Sequence, residues 1–191
     1  GRGDGGKTVN GGRRPAPVIP VPAARLTSLR GRRVLVGTPG LGWRGDLRAD
    51  DPVIQGSRTY VPILTEQDYY RAETEQLEVF APLIPIDRVW VEDIPADASP
   101  RQRSAVPATL DAPPRRDAVR PEEADVVTGR RVVQVAPDGE VRDLRAVTEV
   151  YHNDAGHSCI RVCTEAEWYR WGLLGTIPKP TETRTNLVWL E

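Results

Sequence analysis

Short runs of alternating hydrophobic and polar residues, separated by glycine and proline, predict a mainly β protein with short helices. In the first half of the chain, strands are expected at 32–37, 43–49 and 58–64. Thr65 follows at the position of a helix N-cap and predicts a short helix, and the valine-rich run 87–92 predicts a closing strand. The expected order is therefore β-β-β-α-β.

The same order recurs about a hundred residues later, because four blocks of similar sequence repeat in register. Their offsets are 98, 97, 99 and 99 residues, so the spacing changes only slightly between blocks. The blocks are 31–34 with 129–132, 46–49 with 143–146, 65–71 with 164–170, and 89–92 with 188–191. This regularity predicts a first module at 31–92 and a second module at 129–191.

The predicted fold class is α+β: two tandem β-β-β-α-β modules of about 62 residues, mainly β with short helices. Glycine-punctuated hairpins, with a helix before the last strand, are compatible with a small SH3-like barrel in each module. A small open α+β sheet is the alternative. The analogy concerns the fold alone and favours a binding module without naming its ligand.

The segments outside the modules are rich in proline and predict extended, spacer-like chain. Residues 1–30 are expected to form an extended basic arm rich in proline and glycine, and residues 93–128 a linker rich in proline, alanine and arginine. The net charge is +5 over residues 1–30 and −6 over residues 31–191. An acidic body is a poor binder of phosphate backbones, whereas the arm could lie on nucleic acid or on an acidic protein face. The basic residues that would make this contact are Arg2, Lys7, Arg13 and Arg14.

The first eight residues, GRGDGGKT, fit the template of a phosphate-binding loop. Such a loop needs a strand before it and a helix after it, so that helical N–H groups point at the phosphates. Here the following residues are rich in proline, which excludes a regular helix. We therefore expect no nucleotide site and no cofactor.

The two histidines and two cysteines of the chain all lie in one short segment: His152, His157, Cys159 and Cys163. Their spacing does not match the usual zinc patterns, and cysteines four apart on a strand are about 13 Å apart. No metal is therefore predicted, and the cysteines are expected to be buried or half-buried thiols. A metal site at these four residues, or a Cys/His-dependent activity assisted by Asp154, remains the alternative.

Acidic residues at the start of the predicted helices are interpreted as capping residues. Glu66 and Asp68 in the first module, and Glu165 and Glu167 in the second, complement the positive end of the helix dipole. General acid–base catalysis is therefore not predicted from them. Gly172 is expected to end the second helix.

Aromatic residues beside arginine on the predicted helices are the candidates for partner contact, because aromatic and arginine side chains often anchor interfaces. The predicted partner-binding residues are Tyr70, Arg71, Tyr169, Arg170 and Trp171. One member of each adjacent aromatic pair is expected to point outward. Trp90 and Trp189, in the closing strands, are expected to be structural.

These observations predict a non-enzymatic binding or structural assembly protein that contacts partner proteins, or further copies of itself, through duplicated modules and a basic arm. The alternative is a nucleic-acid-associated accessory factor that binds through residues 1–30. No apolar run approaches the length of a membrane span, so no membrane partner is expected. The expected location is the cytoplasm or a soluble macromolecular assembly.

Overall fold

The computed structural model describes residues 13–76, 78–93 and 112–191. The protein is mainly β, with two curled antiparallel sheets and two α-helices in the described part of the chain. It divides into unit A, Ala16–Arg116, and unit B, which comprises residues 117–191 together with residues 13–15. The phosphate-loop match at 1–8 lies outside the described residues.

Unit A contains a seven-stranded sheet in which β1, β7, β2, β3, β5 and β4 are neighbours in that order, and β6 also pairs with β5. Helix α1 follows β5. The elements are β1 Ile19–Pro22, β2 Arg33–Thr38, β3 Gly42–Ala49, β4 Val53–Gln55, β5 Arg58–Thr65, α1 Glu66–Glu75, β6 Leu83–Pro85 and β7 Val89–Asp93. The strands predicted at 32–37, 43–49, 58–64 and 87–92 are confirmed as β2, β3, β5 and β7. The short strands β1, β4 and β6 were not predicted.

Unit B contains a six-stranded sheet in the order β10, β11, β9, β8 and β13, with β12 also paired to β11. Its elements follow the same order along the chain as β2 to β7 of unit A. They are β8 Arg131–Ala136, β9 Gly139–Ala146, β10 Tyr151–His152, β11 Ser158–Thr164, α2 Glu165–Leu174, β12 Thr181–Arg184 and β13 Val188–Leu190.

Strand β1 comes from the proline-rich segment before the first module and pairs antiparallel with β7, where Val21 lies opposite Val91. Strand β1 is an edge strand of its sheet. The prolines at 20 and 22 are tolerated there because an edge strand needs backbone N–H donors on only one side. The missing N–H groups also make β1 a poor template for another strand. The expected arm boundary at residue 30 therefore falls inside a folded unit.

Each unit has a core of branched aliphatic side chains from both the strands and the segment before them. In unit A, Ala23 and Leu29 from this upstream segment are fully buried. The strand residues packed with them are Val34, Val36, Leu47, Ala49, Val61, Ile63, Val89 and Val91. In unit B, Val127 from the expected linker belongs to the core. The strand residues there are Val132, Ala146, Ile160, Val162, Val188 and Leu190.

Strand β3 of unit A and strand β9 of unit B are each interrupted by a bulge that the sequence pattern did not predict. The pairing registers of β2 with β3 and of β8 with β9 each shift by one step. Asp46 and Asp143 lie at these shifts with left-handed backbone angles, φ 56° and 62°. Aspartate tolerates this conformation better than most residues, which explains why the same residue type stands at both bulges.

Both helices contain ten residues and end at a left-handed residue. In α1 this residue is Gln76, and in α2 it is Gly175, whose N–H donates to the carbonyl of Trp171. The prediction that Gly172 ends α2 is wrong. A single interior glycine costs a helix only about 1 kcal/mol, whereas glycine at position 175 adopts the left-handed cap without strain.

Candidate partner-binding surface

Threonine caps fix where the two helices begin, as predicted. Thr65 Oγ1 accepts a hydrogen bond of 3.1 Å from the N–H of Asp68, and Thr164 Oγ1 accepts one of 3.2 Å from the N–H of Glu167. The Glu167 carboxylate also accepts from the Thr164 hydroxyl at 3.0 Å. These bonds satisfy N–H groups that have no partner within the helix.

The first residue of α1 is a buried acid held by two arginines. Arg48 Nε and Arg33 Nε each lie 3.3 Å from Glu66 Oε1, which is fully buried. Arg48 also donates to the carbonyl of Gly31 at 2.9 Å and to the hydroxyl of Tyr70 at 3.3 Å. This cluster ties α1 to β2, to β3 and to the loop before β2.

The same arrangement holds α2 in unit B. Arg145 Nε and Nη2 lie 3.0 and 2.9 Å from Glu165 Oε1, and Glu165 is fully buried. Arg145 also donates to the carbonyl of Gly129 at 2.9 Å and to the hydroxyl of Tyr169 at 3.1 Å. Sequence reasoning assigned Glu66 and Glu165 to helix capping and missed these ion pairs. The signal that could have found them is the arginine of the repeated DLRA block, which stands at both 48 and 145.

The tyrosines proposed for partner contact therefore already accept hydrogen bonds from arginines of their own units. Tyr69 and Tyr70 are both half-buried, with ring centroids 5.2 Å apart, and Tyr169 is half-buried with Arg145 above its ring at 5.6 Å. Neither ring of the first pair is exposed, because Arg48 lies over both at 5.4 and 5.9 Å. Trp168, the neighbour of Tyr169, is also half-buried. Arg71, Arg170 and Trp171 are the predicted contact residues that are exposed.

The C-terminal end of α2 carries an exposed apolar set flanked by cations. Trp171, Leu174 and Ile177 are 36, 54 and 75% exposed. Trp171 and Leu174 are three residues apart on the helix and so share a face, and Trp171 packs edge-on against Trp168 at 5.6 Å. Arg170 and Lys179 are exposed and form no side-chain hydrogen bond or ion pair within the described residues. We call Arg170, Trp171, Leu174, Ile177 and Lys179 the α2 surface.

The equivalent end of α1 has the opposite character. Arg71 is exposed and forms an ion pair of 3.2 Å with Glu75, one turn further along. Glu78 is exposed, and Phe80, the single phenylalanine of the chain, is 87% exposed. We call Arg71, Glu75, Glu78 and Phe80 the α1 surface.

The histidine and cysteine segment forms β10, β11 and the turn between them. Both thiols are free and buried, as predicted. Burial raises the pKa of Cys159, and it raises the pKa of Cys163 to about 11. A raised pKa disfavours the thiolate, which is the form that binds metals and attacks substrates. Within the described residues, no three His, Cys, Asp or Glu side chains are grouped closely enough to hold a metal.

The polar residues beside these cysteines bond to one another across the sheet. The Tyr151 hydroxyl donates to Glu182 at 2.6 Å, and Asn153 donates to the same carboxylate at 3.4 Å. The Tyr151 hydrogen bond is the main reason that the pKa of Glu182 is lowered and that of Tyr151 is raised. Arg184 lies 3.0 Å from His157 Nε2, and because a guanidinium can only donate, that nitrogen accepts. His152, the remaining histidine, is exposed at the end of β10.

Part of the basic arm lies against a tryptophan of unit B. Arg14 is 5.2 Å and Arg120 is 3.8 Å from the centre of the Trp189 ring, and this ring is buried, as expected for a structural residue. Arg13 is exposed. Arg2 and Lys7 lie outside the described residues. Nucleic-acid binding through residues 1–30 stays a prediction.

Comparison with known proteins adds no assignment. No protein-family model matches the chain, and neither a curated protein nor a solved structure is significantly similar to it. In the described ranges, the helices are too short and too polar for any of them to cross a membrane.

Proposed function

We propose that this chain is a non-enzymatic binding or structural assembly protein built from two duplicated SH3-like modules. The observation that carries the proposal is the α2 surface, in which three exposed apolar residues stand between two exposed cationic residues in the sequence. Exposed tryptophan and arginine are the residue types most often found at the energetic centre of an interface. A partner with apolar and acidic side chains would match this surface.

The duplication is supported by features that recur in both units at equivalent positions. Each unit has a threonine cap, a buried arginine–glutamate pair that also binds a tyrosine hydroxyl, and a left-handed aspartate at a bulge. These features lie inside the units, whereas the exposed ends of the helices differ. This division is what a duplicated scaffold with two specialised surfaces would show.

The rigid attachment of α2 supports a binding role for its end. The cap at Thr164 and the buried Arg145–Glu165 pair hold the helix on the sheet from its first residue. A surface that is already ordered before binding loses less conformational entropy when the partner arrives. Arg170, Trp171 and Leu174, the part of the α2 surface on the helix itself, therefore combine suitable chemistry with a fixed position.

Display of random peptides against the immobilised full chain tests this proposal. We expect enrichment of peptides that combine acidic and apolar residues, and loss of their binding in the L174S/I177S variant. Leu41→Ser, which changes an exposed leucine far from α2 in the sequence, is the matched control. Equal enrichment on the wild type and the α2 variant, or no enrichment on either, would refute the proposal.

A further inference from the structure

The two helix ends that occupy equivalent positions in the repeat carry opposite charges. Residues 71–80 contain one arginine and three glutamates, for a net charge of −2. Residues 170–179, at an offset of 99, contain one arginine, one lysine and no acidic residue, for a net charge of +2. The two segments are equivalent in the repeat, so the same part of the module is negatively charged in the first copy and positively charged in the second.

The apolar residues of the two surfaces are also complementary in kind. The α1 surface offers one large exposed ring, Phe80, close in sequence to Glu78. The α2 surface offers Trp171, Leu174 and Ile177, which could cover such a ring. A glutamate near an exposed aromatic residue is the acidic and apolar combination that the α2 surface fits.

We propose that the α2 surface of one copy binds the α1 surface of a second copy, so that the chain assembles head to tail. The inference rests on the proposed function and names the partner of the same surface. Each copy has one surface of each kind, and the contact therefore joins different patches on the two molecules. Such a heterologous contact leaves a free surface at each end and continues into a ring or an open chain.

The apolar contact supplies most of the attraction, and the charges select the partner. Exposed ion pairs contribute little individually, and salt screens them. Reversing two charges turns attraction into repulsion at several positions at once, which should weaken association by about tenfold or more at low ionic strength. Added salt should reduce the difference between wild type and reversed variants.

Light scattering after size-exclusion chromatography of the full chain over a wide concentration range provides the first test. We expect the average mass of the wild type to rise with concentration beyond that of a dimer. E75K/E78K and R170E/K179E should each stay monomeric at the concentrations where the wild type begins to assemble, and the variant that combines all four changes should assemble again. E123K/D125K, which reverses two exposed carboxylates outside both surfaces, should behave like the wild type.

Mixing two variants that lack apolar side chains decides the direction of the contact. Phe80→Ser retains an intact α2 surface and L174S/I177S retains an intact α1 surface. The two altered surfaces have both lost their apolar side chains and cannot replace the contact, so only one contact can form between the two variants. We expect a one-to-one complex that stops at the dimer. A wild type that stays monomeric at every concentration, or variants that assemble as the wild type does, would overturn the inference.

The readouts separate this inference from the proposed function. If the chain is monomeric but displayed peptides still require Leu174 and Ile177, then the head-to-tail contact is wrong and the binding role stands. If the chain is monomeric and no peptide depends on the α2 surface, both are wrong. Phe80→Ser adds an independent check, because it removes an exposed ring and should reduce assembly while thermal stability stays unchanged.

Discussion

Replacing Glu165 by glutamine should destabilise unit B strongly, because it removes the charge that balances a buried guanidinium. The Glu165 side chain is fully buried, and Arg145, whose side chain is 7% exposed, approaches Oε1 with two nitrogens at 2.9 and 3.0 Å. Neutralising one member of a buried ion pair typically costs about 3–5 kcal/mol. Folding free energies of about 0.05–0.15 kcal/mol per residue give about 4–11 kcal/mol for the roughly 75 residues from 117 to 191. The variant should therefore lose from about a quarter to all of the folding free energy of unit B.

Hydrogen exchange followed by mass spectrometry in increasing urea measures this effect separately in each unit. Peptides from unit B should lose protection at much lower urea in E165Q, while peptides from unit A serve as the internal reference. Glu167→Gln is the matched control, since Glu167 is half-buried and its side chain accepts from the exposed Thr164 hydroxyl. We expect the control to lose less than about 1 kcal/mol.

Removing both charges together should destabilise unit B less than removing one of them. The R145M/E165L double variant replaces the pair by apolar side chains of similar size, which for the pair itself is often nearly neutral. Loss of the Arg145 hydrogen bonds to the Gly129 carbonyl and the Tyr169 hydroxyl should add about 1 kcal/mol each. The double variant should be more stable than E165Q alone. If E165Q and E167Q shift the urea midpoint equally, the buried pair does not hold α2 in the way described.

Four further changes test other parts of the structure. Leu29→Ala should cost about 2–5 kcal/mol in thermal or urea unfolding, because the side chain is fully buried although it precedes the first module. Gly31→Ala should cost about 1–2 kcal/mol in the same assay, since φ is +73° and the added Cβ would lie 3.4 Å from Tyr69 Oη. Hydrogen bonds from Thr128 and Val127, in the loop before β8, lower the pKa of Glu149 from 4.5. The ionised Glu149 therefore stabilises the fold above pH 4.5, and this stabilisation is lost as the pH falls through the lowered pKa of the folded state. Glu149→Gln should remove this part of the acid sensitivity of the urea midpoint. Cys163, whose pKa is raised to about 11, should react with a thiol reagent at pH 8 only after unfolding, as read from the colour released with and without urea.

In the proline-rich segment, the local sequence determines the backbone conformation, and the tertiary structure determines where the segment packs. Alternate prolines exclude a helix and favour extended chain, so the sequence alone predicted an extended conformation for residues 15–22. Whether that chain stays in solvent or joins a sheet depends on a partner strand about 70 residues away, β7. The pattern within the segment contains no information about that partner.

The candidate surface was predictable in part. The sequence pointed to the helix ends through Tyr70, Arg71, Tyr169, Arg170 and Trp171. Arg48 and Arg145 decide which of these side chains can contact a partner, because each arginine extends from a strand and donates to a tyrosine hydroxyl. Leu174, Ile177 and Phe80 were missed, since exposure of an apolar residue at or beyond a helix end depends on what packs there and not on its neighbours in sequence.

By itself, the sequence determined the mainly β character, the four longer strands of the first module, the threonine caps and the burial of both thiols. These depend on local alternation, on turn and cap residues, and on small apolar side chains at strand positions, all of which act over a few residues. Only the tertiary structure decided that β1 belongs to unit A, that Glu66 and Glu165 are buried against arginines, and that α2 continues past Gly172. These outcomes depend on strand register and on packing between residues far apart in the chain, where long-range contacts outweigh local propensity.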